Sequence, residues 1–200
     1  MTRAASRTGV HRQGPSRSEL VGATAVAAIL VFALASQLVD YGVYELRLRW
    51  LDSNEETGVL GLLGQAAIVA AAASAVWVAA RVREATPVVL AILLAFLAVD
   101  HVAKLHEDVP HWRLTYLPLL AVTLLALAGV ARGPVRGARA LLTCGVALLA
   151  ASFAIHETGG WLMERLATGS DSVAYQVKAA VKHGTEVAGW LLIALGLARG

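Results

Sequence analysis

Apolar stretches of about 20 residues alternate with short polar segments along most of the chain. A helix of about 20 residues crosses roughly 30 Å of hydrocarbon, so this pattern is typical of transmembrane helices. Ala and Leu dominate the stretches and period-two alternation is absent, which favours helices over a β-barrel. The pattern predicts an all-α integral membrane protein built as a six-helix bundle. The predicted helices are 20–40, 58–82, 87–106, 115–131, 138–157 and 173–198.

Composition agrees with this class. Of the 200 residues, 58% are hydrophobic and 16% are charged, which is more apolar surface than a soluble domain of this size can bury. Residues 1–18 are polar and basic, and we expect a disordered arm before a transmembrane domain over 19–200. The basic start followed by ALAS at 33–36 is also compatible with a cleaved signal peptide. The first stretch is long enough to span, which favours a retained helix.

The distribution of basic residues predicts the orientation. With the N-terminus inside, inner segments hold ten Arg and Lys residues and outer loops hold five, and an inner excess sets topology. Both termini are therefore predicted to be cytoplasmic, in a bacterial plasma membrane.

The first, third and fifth stretches end alike at Asp40, Asp100 and His156, which are 60 and 56 residues apart. This spacing is compatible with three helical hairpins, or with chance.

Most ionisable groups collect toward the predicted outer face. Counting about 1.5 Å per residue from the inner helix ends places Asp100, His156, His183 and Glu186 about 20 to 25 Å above the inner boundary. Ionisable groups at membrane depth are costly unless they are paired, hydrated or metal-bound. We therefore expect a functional polar layer in the outer half of the bilayer.

Local spacing within the helices refines this layer. Asp100, Lys104 and Glu107 fall at i, i+4 and i+7, which is one face of a continuous helix. On the sixth helix, His183 and Glu186 at i and i+3 can reach a common point. Gly159 and Gly160 are expected to end or loosen the fifth helix.

Imidazole together with carboxylate suits a divalent metal, and zinc or iron are the expected ions. Such a metal would activate a water for attack on a lipid or small molecule from the outer side, as in a metal-dependent hydrolase. The catalytic candidates are Glu157 and Glu186 as general bases, with Lys104 and Lys182 stabilising an anion or a metal-bound hydroxide. The metal-ligand candidates are Asp100, His101, His106, His156, His183 and Glu186.

Three other interpretations stay open. The same charged cluster can serve a proton- or ion-coupled transporter or channel subunit. It can also be a satisfied network in a non-catalytic accessory subunit of a membrane complex. Two facing histidines can hold a haem, although no attachment motif is present.

Some functional classes find no support in the sequence. The single cysteine, Cys144, allows neither an internal disulfide nor a cysteine-based metal cage. The chain has no phosphate loop, nucleophile elbow or dinucleotide motif. Its arginines flank the helices without interleaved aromatics, so we predict a lipid bilayer as partner and no nucleic acid.

Overall fold

The fold was analysed in a computed structural model, which describes residues 16–55, 57–132, 136–165, 169 and 171–199. Residues 1–15, most of the predicted arm, lie outside this description. Six α-helices follow one another in the described chain, as the sequence predicted. They are α1 (Arg17–Val43), α2 (Val59–Val82), α3 (Ala85–Ala103), α4 (Trp112–Ala131), α5 (Arg136–Arg165) and α6 (Val173–Leu197).

Two predicted helix ends are wrong. α3 ends at Ala103, because Lys104 takes a left-handed conformation with φ of 56° and a short 3₁₀ helix, Leu105–Asp108, follows. α5 continues through Gly159 and Gly160 to Arg165. The intrinsic cost of glycine in a helix is about 1 kcal/mol per residue, and tertiary contacts of α5 outweigh it.

Helix α6 occupies the centre of the bundle. It packs closely against α5, α2 and α1, while α3 packs mainly on α2, and α4 lies at the edge against α3. Its buried positions run along most of its length, from Gln176 to Leu197. A helix surrounded by others can carry polar side chains that a lipid-facing helix cannot.

Small residues allow the neighbours to approach α6. An added Cβ at Gly184 would lie 3.1 Å from the Cβ of Ala33 on α1. On the α5 side, an added Cβ at Gly145 would lie 2.8 Å from the carbonyl oxygen of Gly189 and 3.1 Å from the backbone N of Ile193. Backbone meets backbone at this point, which is how small residues bring membrane helices together.

The apolar core lies toward one end of the bundle. It is centred on Leu90, Leu94, Leu142, Ile193 and Leu197, in the part where α2 ends and α3 begins. We call this the core end. The opposite end, where α1, α3 and α5 finish and α6 begins, is called the charged end.

The outer surface of the bundle is strongly apolar. Leu114 and Leu125 on α4, Ile92 on α3 and Val31 on α1 are each more than 60% exposed. Within the described chain, five helices are long and apolar enough to cross a membrane, and α6 is not one of them.

The contact between α5 and α6 predicts a position-dependent effect of alanine. Gly145→Ala should lower the free energy of unfolding by about 1 to 3 kcal/mol, because its Cβ would overlap backbone atoms that cannot move independently. Thermal denaturation of the protein in detergent measures the change.

Gly160→Ala on the same helix is the matched control, because an added Cβ there meets nothing within 4 Å. It should leave stability unchanged or raise it slightly. Equal destabilisation by both variants would contradict the importance of the close approach.

Candidate functional site

The imidazole of His183 lies between an ammonium and a carboxylate on α6. Its Nε2 is 3.4 Å from Lys182 Nζ, and its Nδ1 is 3.8 Å from Glu186 Oε2. The side chains of His183 and Glu186 are about a quarter exposed. The three groups therefore form a partly shielded chain of titratable atoms.

Hydroxyl groups fix the α6 backbone beside this chain. Ser152 on α5 donates through Oγ to the carbonyl oxygen of Lys182 over 2.9 Å. Thr185 donates to the carbonyl oxygens of Val181 and Lys182, each over 2.8 Å. Such bonds to i−3 and i−4 carbonyls are usual for Ser and Thr within apolar helices. The sequence prediction missed Thr185. The available signal was a threonine inside an apolar helix, because its hydroxyl usually bonds to the backbone of the preceding turn.

Lys178 lies one turn before Lys182 and crosses α5 at Gly159. An added Cβ at Gly159 would lie 2.8 Å from Lys178 Cε and 3.0 Å from its Nζ. The ammonium lies 4.7 Å from the ring centroid of Tyr175, a cation–π distance. A larger residue at position 159 would therefore shift the end of the Lys178 side chain.

The two ammonium groups lack carboxylate partners. Within the described part of the chain, neither Lys178 Nζ nor Lys182 Nζ lies within 4.0 Å of a carboxylate oxygen. Both residues are half-buried, and the two side chains are close enough to repel one another. The two positive charges are therefore not neutralised at ion-pair distance, although the carboxylates of Glu157 and Glu186 belong to the same region.

Histidines from two other helices approach the same region. His156 Nε2 on α5 lies 4.0 Å from Glu157 Oε1, and both side chains are a third or more exposed. His101, near the end of α3, and His156 are both close enough to act electrostatically on His183. His101 and His156 therefore lie within electrostatic range of His183 at the charged end.

Asp100 interacts with α4. Its buried carboxylate accepts a hydrogen bond of 2.7 Å from the hydroxyl of Tyr116, whose ring lies near Phe96. Sequence reasoning missed Tyr116. The available signal was a tyrosine within an apolar stretch, because a buried phenol usually finds a partner for its hydroxyl.

The predicted common face of Asp100, Lys104 and Glu107 is wrong. It required a continuous helix, whereas α3 ends before Lys104, which is exposed. The side chains of His106 and Glu107 lie outside the described part of the structure.

The described side chains give limited support to the predicted metal site. Among them, no three His, Cys, Asp or Glu residues converge as ligands. His183 and Glu186 offer two donors on one helix, and the ammonium of Lys182 beside His183 Nε2 disfavours a cation there. The described donors are a poor fit to zinc or iron, and the metal site stays a prediction.

Comparison with known proteins identifies the family of this chain, and the family has no described activity. The family described as Domain of unknown function (DUF8692) matches residues 21–199. No curated protein and no solved structure matches significantly.

The hydrogen bond between α4 and α3 predicts a difference between two tyrosines. Tyr116→Phe should lower the free energy of unfolding by about 1 to 3 kcal/mol, because it removes a donor from a buried carboxylate. Chemical denaturation followed by tryptophan fluorescence measures this loss. Tyr44→Phe removes an exposed hydroxyl and should be neutral. A neutral Tyr116→Phe would show that Asp100 does not depend on this bond.

Proposed function

The chain belongs to the DUF8692 family, and we propose that it is a multi-pass membrane protein that binds an anion at its charged end and moves it with protons. Its activity is then that of an ion-coupled transporter or a channel subunit. The observation that carries the proposal is the pair of half-buried ammonium groups, Lys178 and Lys182, without a carboxylate partner.

Insertion in a membrane is supported by the surface of the bundle. Five helices have the length and apolarity of membrane spans, and large apolar side chains cover their outer faces. The inner excess of basic residues favours cytoplasmic termini in a plasma membrane. The charged end then opens to the extracytoplasmic side.

The charges around α6 favour an anion as the bound species. Taking an ammonium out of water costs free energy that an opposite charge must offset. Lys178 and Lys182 lie close enough to act electrostatically on each other, and both act on His183. An anion between them would supply the missing negative charge, whereas a cation would be repelled.

Proton coupling follows from the position of His183. A neutral imidazole has a donor nitrogen and an acceptor nitrogen, and here one faces Lys182 and the other faces Glu186. A proton taken up at one ring nitrogen can be released from the other, so His183 can pass protons along α6. Chains of buried His and Glu serve this purpose in membrane pumps.

Flux measurements on proteoliposomes test the proposal. Lys182→Gln should reduce uptake of chloride or inorganic phosphate roughly tenfold or more, because a charge-assisted contact contributes about 1.5 to 3 kcal/mol. Arg132→Gln is the control, since it removes the same charge at the exposed core end.

An effect of Lys182→Gln and none of Arg132→Gln is the expected result. If the wild-type protein transports neither anion and no pH change is seen in the liposomes, the transporter proposal is wrong. The accessory-subunit interpretation would then replace it.

A metal-dependent enzyme acting on a lipid or small molecule is the second proposal. It is favoured by one observation, the 3.8 Å approach of His183 Nδ1 to Glu186 Oε2, which lets both atoms reach one ion. It requires the Lys182 ammonium, 3.4 Å from His183 Nε2, to move away.

This second proposal predicts stoichiometric zinc or iron in purified protein. Elemental analysis should find the metal in the wild type and a loss of most of it in His183→Ala, with His111→Ala as the control at an exposed loop position. Metal that is substoichiometric, or that is unchanged by His183→Ala, contradicts the enzyme proposal.

A further inference from the structure

A second polar cluster lies at the charged end, between α1 and the α1–α2 loop. Its centre is Gln37, whose carboxamide is fully buried. Gln37 Oε1 accepts from the backbone N of Ser53 over 2.6 Å, and Gln37 Nε2 donates to Asp52 Oδ1 over 3.3 Å and to Gln176 Oε1 over 2.7 Å. One amide therefore ties α1 to the loop and to α6.

Asp40 lies one turn beyond Gln37 on the same face of α1. Its Oδ1 accepts a hydrogen bond of 2.9 Å from the backbone N of Leu48. The carbonyl oxygen of Leu48 in turn accepts from the backbone N of Leu51 and Asp52. Hydrogen bonds thus link Asp40 through Leu48 and Asp52 to Gln37, and the α1 backbone between Gln37 and Asp40 completes a ring that both carboxylates border.

Two polar atoms at this ring have no hydrogen-bond partner among the described residues. Asp40 is 0% exposed and Ser53 is 2% exposed, and both Asp40 Oδ2 and Ser53 Oγ are buried without a hydrogen bond. A buried oxygen without a partner costs about 1 to 3 kcal/mol, and a charged one costs more. A missing ligand or partner is therefore expected at this place.

The charge of the ring indicates the sign of that partner. Asp40 and Asp52 both border it, and neither forms an ion pair with a basic group of the described chain. Asp52 Oδ1 already accepts from Gln37 and from the backbone and side-chain nitrogens of Asn54. Two carboxylates and one hydroxyl remain without a positive charge.

We propose that Asp40 and Ser53, with Asp52, bind a Ca²⁺ ion under the α1–α2 loop. The site differs from the cluster on α6 and does not depend on the function proposed for it. Oxygen ligands alone are typical of a hard cation, and Ca²⁺ accepts carboxylate, hydroxyl, carbonyl and water oxygens in a flexible geometry. Two carboxylates balance its charge, so a third acidic ligand is not required.

Thermal denaturation of the full-length protein in detergent tests the proposal. Ca²⁺ at about 100 times its Kd should raise the unfolding midpoint by about 5 to 10 °C over protein in EDTA. Tb³⁺, which takes the place of Ca²⁺, should give luminescence sensitised by Trp50, two residues before Asp52. Ca²⁺ should displace the Tb³⁺ and remove the signal.

Three variants make the test specific. Asp40→Asn keeps an oxygen for the Leu48 N–H and should abolish both the Ca²⁺ shift and the Tb³⁺ signal. Ser53→Ala should weaken them, and it provides a second measurement if Asp40→Asn does not fold. Asp108→Asn removes an exposed carboxylate from the short 3₁₀ helix before α4 and should behave as the wild type.

Three results would overturn the proposal. The first is a wild-type midpoint that does not respond to Ca²⁺, since water would then satisfy Asp40 and Ser53. The second is a Ca²⁺-induced rise of the unfolding midpoint that is as large in both Asp40→Asn and Ser53→Ala as in the wild type. The third is a rise of the unfolding midpoint with Na⁺ that equals the rise with Ca²⁺, because the bound ion would then be monovalent.

Discussion

The backbone contact between α5 and α6 at Gly145 and Gly189 is the constraint on which the rest of the structure depends. At this point, an added Cβ on either glycine would lie within 3.0 Å of a backbone oxygen of the other. The contact brings α5 close enough for Ser152 to reach the carbonyl oxygen of Lys182 and for Gly159 to pass under Lys178. A wider separation would open the site on α6 to its surroundings.

The two ends of the bundle differ in the interactions that hold them together. Apolar packing among five helices is concentrated at the core end. The charged end instead holds polar networks on α6 and around Gln37, with a small apolar cluster of Ala33, Leu60, Ala180 and Val187 beside them. Substitutions at the core end should therefore act through lost apolar packing, whereas those at the charged end should act through lost hydrogen bonds and ion pairs.

Local sequence was sufficient to predict that the six helices exist and that Lys182, His183 and Glu186 are neighbours on α6. The length of apolar stretches and the spacing of Lys182, His183 and Glu186 are local properties, and each can be read within one helix. The end of α3 was missed, because a left-handed lysine is uncommon and no glycine marks the place. Pairings such as Gln37 with Gln176 depend on how distant helices meet, which a single sequence does not state.

The central position of α6 has a consequence for biogenesis. Translation delivers α6 after the other five helices, and within the described chain it is not among those with the composition of an independent membrane span. Its glycines and polar side chains fit a space that α1, α2 and α5 provide. In a bundle inserted in a membrane as we propose, retention of α6 would depend on its packing against α1, α2 and α5. Weakened docking would release a helix bearing Lys178 and Lys182 as a substrate for quality-control proteases.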